Sequence, residues 1–241
     1  MSARAAKTPA AANNPVRQLA FDLGHRPAHG REDFLVAPSN HDAVKWIDLW
    51  PDWPAPALVL YGPAACGKTH LSAVWRERVK AALIESAELA NVGANDLIRR
   101  GQHFLIDSVD PWIGDRAAET TLFHFYNLAK EQGKTALLTM RAAPVHLDFA
   151  LPDLASRLRA APAAPIQAPD ETLLGAVLVK MFADRQIIIG SDVLNYILPR
   201  MERSFAAARD LVERADQLAL AEKRAVSVPL IRQLLIAEEK A

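Results

Sequence analysis

The sequence predicts an α/β P-loop NTPase fold, a parallel sheet flanked by helices, followed by a small all-helical lid domain. Two observations carry the first half. Residues 62–69 read G-P-A-A-C-G-K-T, which fits G-x-x-x-x-G-K-[ST], and short apolar runs alternate with helical periodicity on either side of it. The third is a change of pattern after about Pro169, beyond which only amphipathic helical runs follow.

In chain order, Met1–Arg17 is rich in Ala, Pro, Asn, Lys and Arg with few large apolar residues, the composition of a disordered arm. Gly24–Arg31 reads as a linker, and folding is expected to begin near Phe34. A helix over about Asn40–Leu49 precedes a buried strand at Ala57–Tyr61. The P-loop follows, then a helix from Lys68 with Leu71, Val74, Trp75 and Val79 at helical spacing. Strands are expected at Ala82–Glu85, His103–Asp107 and Thr135–Thr139, with a long helix over Ala117–Gln132 and a short fifth strand near Pro165–Gln167. Four lid helices are expected at Glu171–Asp184, Asp192–Met201, Phe205–Lys223 and Pro229–Glu239, set off by Asp170, Ser191, Ser204 and Ser227 as capping residues. This divides the chain into an arm (1–33), a nucleotide-binding domain (34–168) and a lid (169–241).

Composition narrows the function. Hydrophobic residues make up 51% of the chain and charged residues 23%, enough for a sizeable core. The formal net charge is +0, which does not favour tight nonspecific binding to DNA. A single cysteine, Cys66, excludes an internal disulfide and suits a reducing compartment, the cytoplasm. No apolar run reaches membrane-spanning length, and the histidines show no metal-ligand spacing.

The chemistry concentrates at the P-loop. Gly62 and Gly67 let the backbone of Pro63, Ala64, Ala65 and Cys66 wrap phosphates, with Lys68 reaching the β and γ positions. The Thr69 hydroxyl can ligate Mg²⁺, and the loop runs into His70 at the helix start, where phosphates are expected to bind. Asp107, at the end of F-L-I-D, is the expected second Mg²⁺ partner. The next residue is Ser108, not a second acid, with Asp110 two further on; a serine cannot serve as a carboxylate base, so weak intrinsic hydrolysis is expected. Thr139-Met140-Arg141 ends the fourth strand at the carboxyl edge where a γ-phosphate sensor could sit. In L-P-D-L-A-S-R-L-R, Asp153 can cap a short helix that displays Arg157 or Arg159. Arg209, in a helix capped by Ser204, either points back at the phosphates or pairs with Glu213.

Taken in order, F-L-V-A-P-S-N-H-D-A-V (Phe34–Val44), the P-loop, F-L-I-D, L-L-T, L-A-S-R-L and A-R-D-L resemble the AAA+ domain of the bacterial replication initiator DnaA over nearly all of Phe34–Leu235. DnaA's helix-turn-helix DNA-binding domain is not expected after the last helix, nor its long N-terminal domain before the first. In the arm stands Q-L-A-F-D-L, similar to the hexapeptide that docks in the bacterial sliding clamp, with Gln18 at the pocket rim and Leu19, Phe21 and Leu23 in apolar subsites. That layout resembles the DnaA-homologous Hda family of initiator inactivators.

The resemblance implies a protein that holds ADP or ATP with Mg²⁺, rides a DNA-loaded sliding clamp (the β subunit of DNA polymerase III) and acts on DnaA. It implies that Arg157 is an arginine finger for DnaA-bound ATP, that Arg209 contacts the protein's own nucleotide, and that Pro38, Ser39 and Asn40 border the adenine. Ser108 and the fourth-strand sensor depart from the initiator's pattern. Self-association is left open. Two other functions compete: a helicase loader or remodeller turning over its own ATP, and a non-catalytic clamp adaptor.

Overall fold

Strand residues Ala57–Tyr61 (β1) alternate with period two: Ala57 and Val59 face one side of the sheet, Leu58 and Leu60 the other, and all four are buried. Burial on both faces is what a parallel sheet between helical layers demands. The computed structural model, which describes residues 35–238, has that sheet. Its strands are β1, Ala82–Glu85 (β2), His103–Asp107 (β3), Thr135–Met140 (β4) and Ala163–Pro165 (β5), all parallel and ordered β2-β3-β4-β1-β5. The arm, with Gln18–Leu23, and Phe34 lie outside the described residues.

Helices His41–Asp48 (α1) and Lys68–Val79 (α2) cover one face, where Ile47, Leu71 and Trp75 meet Leu58, Leu60, Leu105 and Leu137. Trp53 stacks on Trp75 with ring centroids 5.5 Å apart. Helices Ala94–Ile98 (α3), Arg116–Glu131 (α4) and Pro152–Ala160 (α5) cover the other face, where Leu97, Phe125 and Leu158 join Val59, Phe104, Ile106 and Leu138. A third cluster belongs to helices Glu171–Ala183 (α6), Ser191–Ile197 (α7), Phe205–Glu222 (α8) and Val228–Glu238 (α9), built on Leu174, Phe182, Ile197, Leu211 and Ile231. Asp170 caps α6, its Oδ1 accepting from the Leu173 amide at 2.7 Å, and the Ser204 hydroxyl caps α8 through the Ala207 amide at 3.1 Å.

Several boundaries differ from expectation. The fifth strand lies two residues earlier than Pro165–Gln167, because β1 pairs Val59 with Ala163 and Tyr61 with Pro165. Helix α5 has Leu151, not Asp153, as its N-cap, with Pro152 at the first helical position, where its missing N–H is harmless. Helix α7 begins at Ser191 after Gly190 and ends by Ile197. A 3-10 turn at Ser86–Ala90, closed by a Glu85–Glu88 capping box, and α3 fill the β2–β3 connection; both are too short to leave a periodic signal.

At the amino end of β3, His103 lies edge-on to Trp50 with centroids 4.9 Å apart, and its Nδ1 is 2.9 Å from the Thr135 hydroxyl. Burial pushes its pKa below the ordinary histidine value. In the unfolded chain this histidine takes up its proton near pH 6.5, whereas the folded state resists doing so until lower pH. Stability is therefore fully present above pH 6.5 and falls as pH drops through the depressed folded pKa. The urea midpoint should decline between pH 7.5 and 5.5, and less steeply in His103→Gln, which titrates no ring.

Candidate functional site

The carboxyl ends of β1, β3 and β4 converge on one rim of the sheet, and each contributes a functional group there. After β1 the chain turns through the P-loop into α2. Two glycines are dictated by space: a Cβ on Gly62 would run into the Ile166 carbonyl oxygen, and Gly67, the N-cap of α2 at φ +104°, packs under the Phe205 ring. The Gly67 cap has no side-chain hydrogen bond, so the first amides of α2 remain available to an anion. Lys68 Nζ donates to the Gly62 and Pro63 carbonyls, both at 2.8 Å, which holds its ammonium over the loop. Cys66 turns inward, buried among core residues, with its Sγ accepting from Lys68 Nζ at 3.8 Å.

Asp107 ends β3 with both carboxylate oxygens engaged. Oδ2 accepts from the Thr69 hydroxyl at 3.4 Å and Oδ1 from the buried Thr139 hydroxyl at 2.5 Å. Thr139 Oγ1 in turn accepts from the Ser108 amide at 2.8 Å. Its one proton is thus committed to Asp107, so Thr139 holds the acid rather than facing outward as a sensor. Arg141 is exposed, and its amide donates to Asp110 Oδ1 at 2.5 Å, which ties Asp110 to the end of β4. Ser108, at φ +57°, is exposed beside Asp107. The Thr69 hydroxyl and Asp107 carboxylate form a pair of hard oxygen donors that fits Mg²⁺, an ion usually held by one or two protein oxygens plus phosphate and water.

A cavity of about 780 Å³ opens between the P-loop and the lid, within the range that holds a nucleotide-sized ligand. Ala65, Gly67, Lys68, Thr69 and His70 form one wall, Leu35 and Asn40 another, and Lys180, Met181, Phe205 and Arg209 belong to the lid side. A backbone hydrogen bond from Phe205 to Ala65 (3.3 Å) joins lid to loop. The Asn40 amide spans its own turn, accepting from Ala37 N at 2.9 Å and donating to the Leu35 carbonyl at 2.9 Å, so it shapes that wall. Ser39 is buried and its carbonyl accepts from Gln167 N, while Pro38 is exposed and outside the cavity lining. Arg209 lines the cavity and forms no ion pair among the described residues; the ion pair spanning one turn of α8 is Arg214 with Asp210.

The two α5 arginines differ. Arg159 is tied down: Nε and Nη2 reach the Pro144 and Leu147 carbonyls at 3.4 and 3.3 Å, and its guanidinium lies 5.8 Å from the Phe149 ring. Arg157 is exposed, lies outside the cavity, and its guanidinium has no hydrogen bond or ion pair among the described residues. It sits near α4, where its charge opposes the upward push that burial gives the Tyr126 hydroxyl.

Residues 171–235 match the family described as Hda, lid domain. The chromosomal replication initiator protein DnaA of Thermomicrobium roseum is 24% identical over 241 residues, covering 88% of this chain and 50% of that protein. That of Cutibacterium acnes is 25% identical over 244 residues, covering 92% and 49%. The chain spans about half the length of the curated relatives it matches. Among solved structures, domain III of Thermotoga maritima DnaA superposes with a TM-score of 0.71 at 22% identity, covering 85% of this chain and 94% of that one. The Holliday junction branch migration motor RuvB of the same organism reaches 0.59 at 15%, covering 76% and 61%.

The chain carries an Hda-type lid and has the fold of DnaA domain III.

Ala65, Gly67, Lys68, Thr69, His70, Asn40 and Arg209 come together around one cavity, while Arg157 stands apart from it. Sequence reasoning missed the lid side of that cavity, including Leu173, Val177, Lys180, Met181 and Phe205. Helical periodicity marks these positions only as one face of α6 and the start of α8, with nothing to separate a cavity face from a core face. Among the described residues no helix is long and apolar enough to cross a membrane.

Proposed function

We propose that this chain is a clamp-carried regulator that stimulates hydrolysis of DnaA-bound ATP while holding its own nucleotide, and so represses re-initiation of replication. One observation supports it above the rest: Arg157 is exposed on α5, its guanidinium has no hydrogen bond or ion pair among the described residues, and it lies outside the chain's own cavity. A cation held ready outside its own site suits an arginine finger offered to a second nucleotide. Residues 34–168 form the nucleotide-binding domain and 169–241 the lid. ADP or ATP binds between them, as supported by the AMPPCP-bound DnaA of Aquifex aeolicus, a neighbour with a TM-score of 0.68 at 17% identity. Thr69 and Asp107 hold Mg²⁺, which when bound neutralises phosphate charge. The α2 amides and Lys68 orient the phosphates, and the lid with Arg209 closes over them. With Ser108 beside Asp107, the chain's own turnover is slow. Gln18, Leu19, Phe21 and Leu23 dock on the DNA-loaded clamp.

The deciding experiment follows phosphate release from preloaded DnaA-ATP with clamp on DNA, with and without this protein in its ADP form. The expected result is clamp-dependent acceleration, lost on deletion of Gln18–Leu23. No acceleration, with ADP and clamp both bound, overturns the regulator reading and favours an adaptor. Appreciable turnover without DnaA, lost in Lys68→Ala, favours a conventional ATPase.

A further inference from the structure

Glu119 is a carboxylate buried to 1% exposure in the first turn of α4, remote in sequence from every motif above. Such burial is tolerable only when the charge is well bonded. It is: the Gly114 and Ala150 amides donate to Oε1 at 2.6 and 3.0 Å, and the Leu151 amide donates to Oε2 at 2.6 Å. Charge-assisted bonds of this kind are about twice as strong as neutral ones.

The acceptor's targets matter more than its strength. Leu151 is the N-cap of α5, and that cap has no side-chain hydrogen bond of its own. The start of α5 is therefore held from α4, by Glu119, rather than by a local cap. A negative charge there also complements the helix dipole. The segment leading into α5 is fixed again by Arg159 on the Pro144 and Leu147 carbonyls, and by Arg116, whose Nη1 reaches the Ala150 carbonyl at 3.5 Å. Arg157 is on this helix, and nothing else among the described residues bonds its guanidinium. The direction in which it is displayed is set by how α5 is seated.

Resting on the regulator reading above, we infer that Glu119 is a positioning residue that seats α5 and thereby aims Arg157 at the partner's nucleotide. Glu119→Gln keeps the shape but removes the charge. It also turns one acceptor oxygen into an NH₂ donor that confronts a backbone N–H. Misplacing a reacting group by about an ångström can lower a rate on the order of a hundredfold.

The test holds DnaA-ATP fixed, with clamp on DNA, and adds increasing wild type, Glu119→Gln or Arg157→Ala, each in the ADP form and each checked for folding by circular dichroism. A mispositioned finger lowers the maximal stimulated rate, by roughly tenfold or more, and leaves the half-saturating concentration unchanged. Mere loss of folded protein would instead raise the half-saturating concentration and leave the plateau intact. Native-state hydrogen exchange should show faster exchange of the Ala150 and Leu151 amides in Glu119→Gln. A wild-type plateau in Glu119→Gln alongside a dead Arg157→Ala overturns the positioning role. Full stimulation by Arg157→Ala overturns the finger itself, and the positioning role with it. Should Glu119→Gln fail to fold, Glu119→Asp, which keeps the charge but stops a methylene short, must show the same lowered plateau.

Discussion

Arg157→Ala should reduce stimulation of DnaA-ATP hydrolysis by about 10³-fold or more, the effect of withdrawing an arginine finger in other phosphoryl-transfer systems. Charge develops on the transferred phosphoryl group, and a guanidinium placed against it is worth most where water is excluded. The structure makes the prediction sharp because Arg157 has so little else to lose. It is exposed, outside the cavity, and its guanidinium forms no hydrogen bond or ion pair among the described residues. Surface substitutions of this kind usually change stability by less than about 0.5 kcal/mol. ADP affinity, clamp binding and thermal stability should therefore all remain at wild-type values while stimulation disappears. Arg159→Ala is the contrast, since Arg159 holds the Pro144 and Leu147 carbonyls and packs on Phe149. Unchanged stimulation by Arg157→Ala would sink the finger assignment. Phosphate release under single-turnover conditions is the measurement, because it reads the chemical step without product exchange.

How much of this was legible in advance depends on how local the signal is. Strands β1 to β3 stand at their expected limits, since each is a short apolar run bounded by turns or charge; β1 and β3 are buried on both faces, whereas the edge strand β2 buries only Ile84. The P-loop and the Asp107 strand end were legible because their chemistry fixes residue types at short spacing. Helix α3 and the 3-10 turns were not, for a turn or two of helix leaves no period to read. The Asp107–Thr139–Ser108 network joins residues about thirty positions apart, so no sequence window contains it. Glu119 reads in sequence as an ordinary charge in the first turn of a helix. Its role emerges only when the Gly114 loop and the start of α5 are folded onto it. The difference between Arg157 and Arg159 is likewise invisible in S-R-L-R. Both are exposed arginines on one short helix, and only the position of the Pro144 and Leu147 carbonyls decides which is tied down.

Lys68→Ala should separate nucleotide binding from folding. The Lys68 ammonium is held by the carbonyls of buried Gly62 and exposed Pro63, and the second can be hydrated when it goes. The fold should survive, because the α2 core contacts of Leu71 and Trp75 are untouched. Binding should not survive well, since Lys68 is the P-loop cation and Arg209 reaches the same cavity only from the lid. A ligand at a hundred times its Kd stabilises a protein by about 2.7 kcal/mol. For a chain of this size, that corresponds to a rise in Tm of roughly 5–10 °C. Wild type should show that rise with ADP and Mg²⁺, whereas Lys68→Ala should show little at the same concentration and keep the unliganded Tm. On the regulator reading, stimulation of DnaA should also fall, because the Phe205–Ala65 hydrogen bond joins the lid to the loop and Arg209 lines the same cavity. A full thermal shift in Lys68→Ala would mean that the cavity between loop and lid is not where the nucleotide binds. A normal unliganded Tm, no shift and undiminished stimulation would mean that nucleotide is dispensable for presenting the finger.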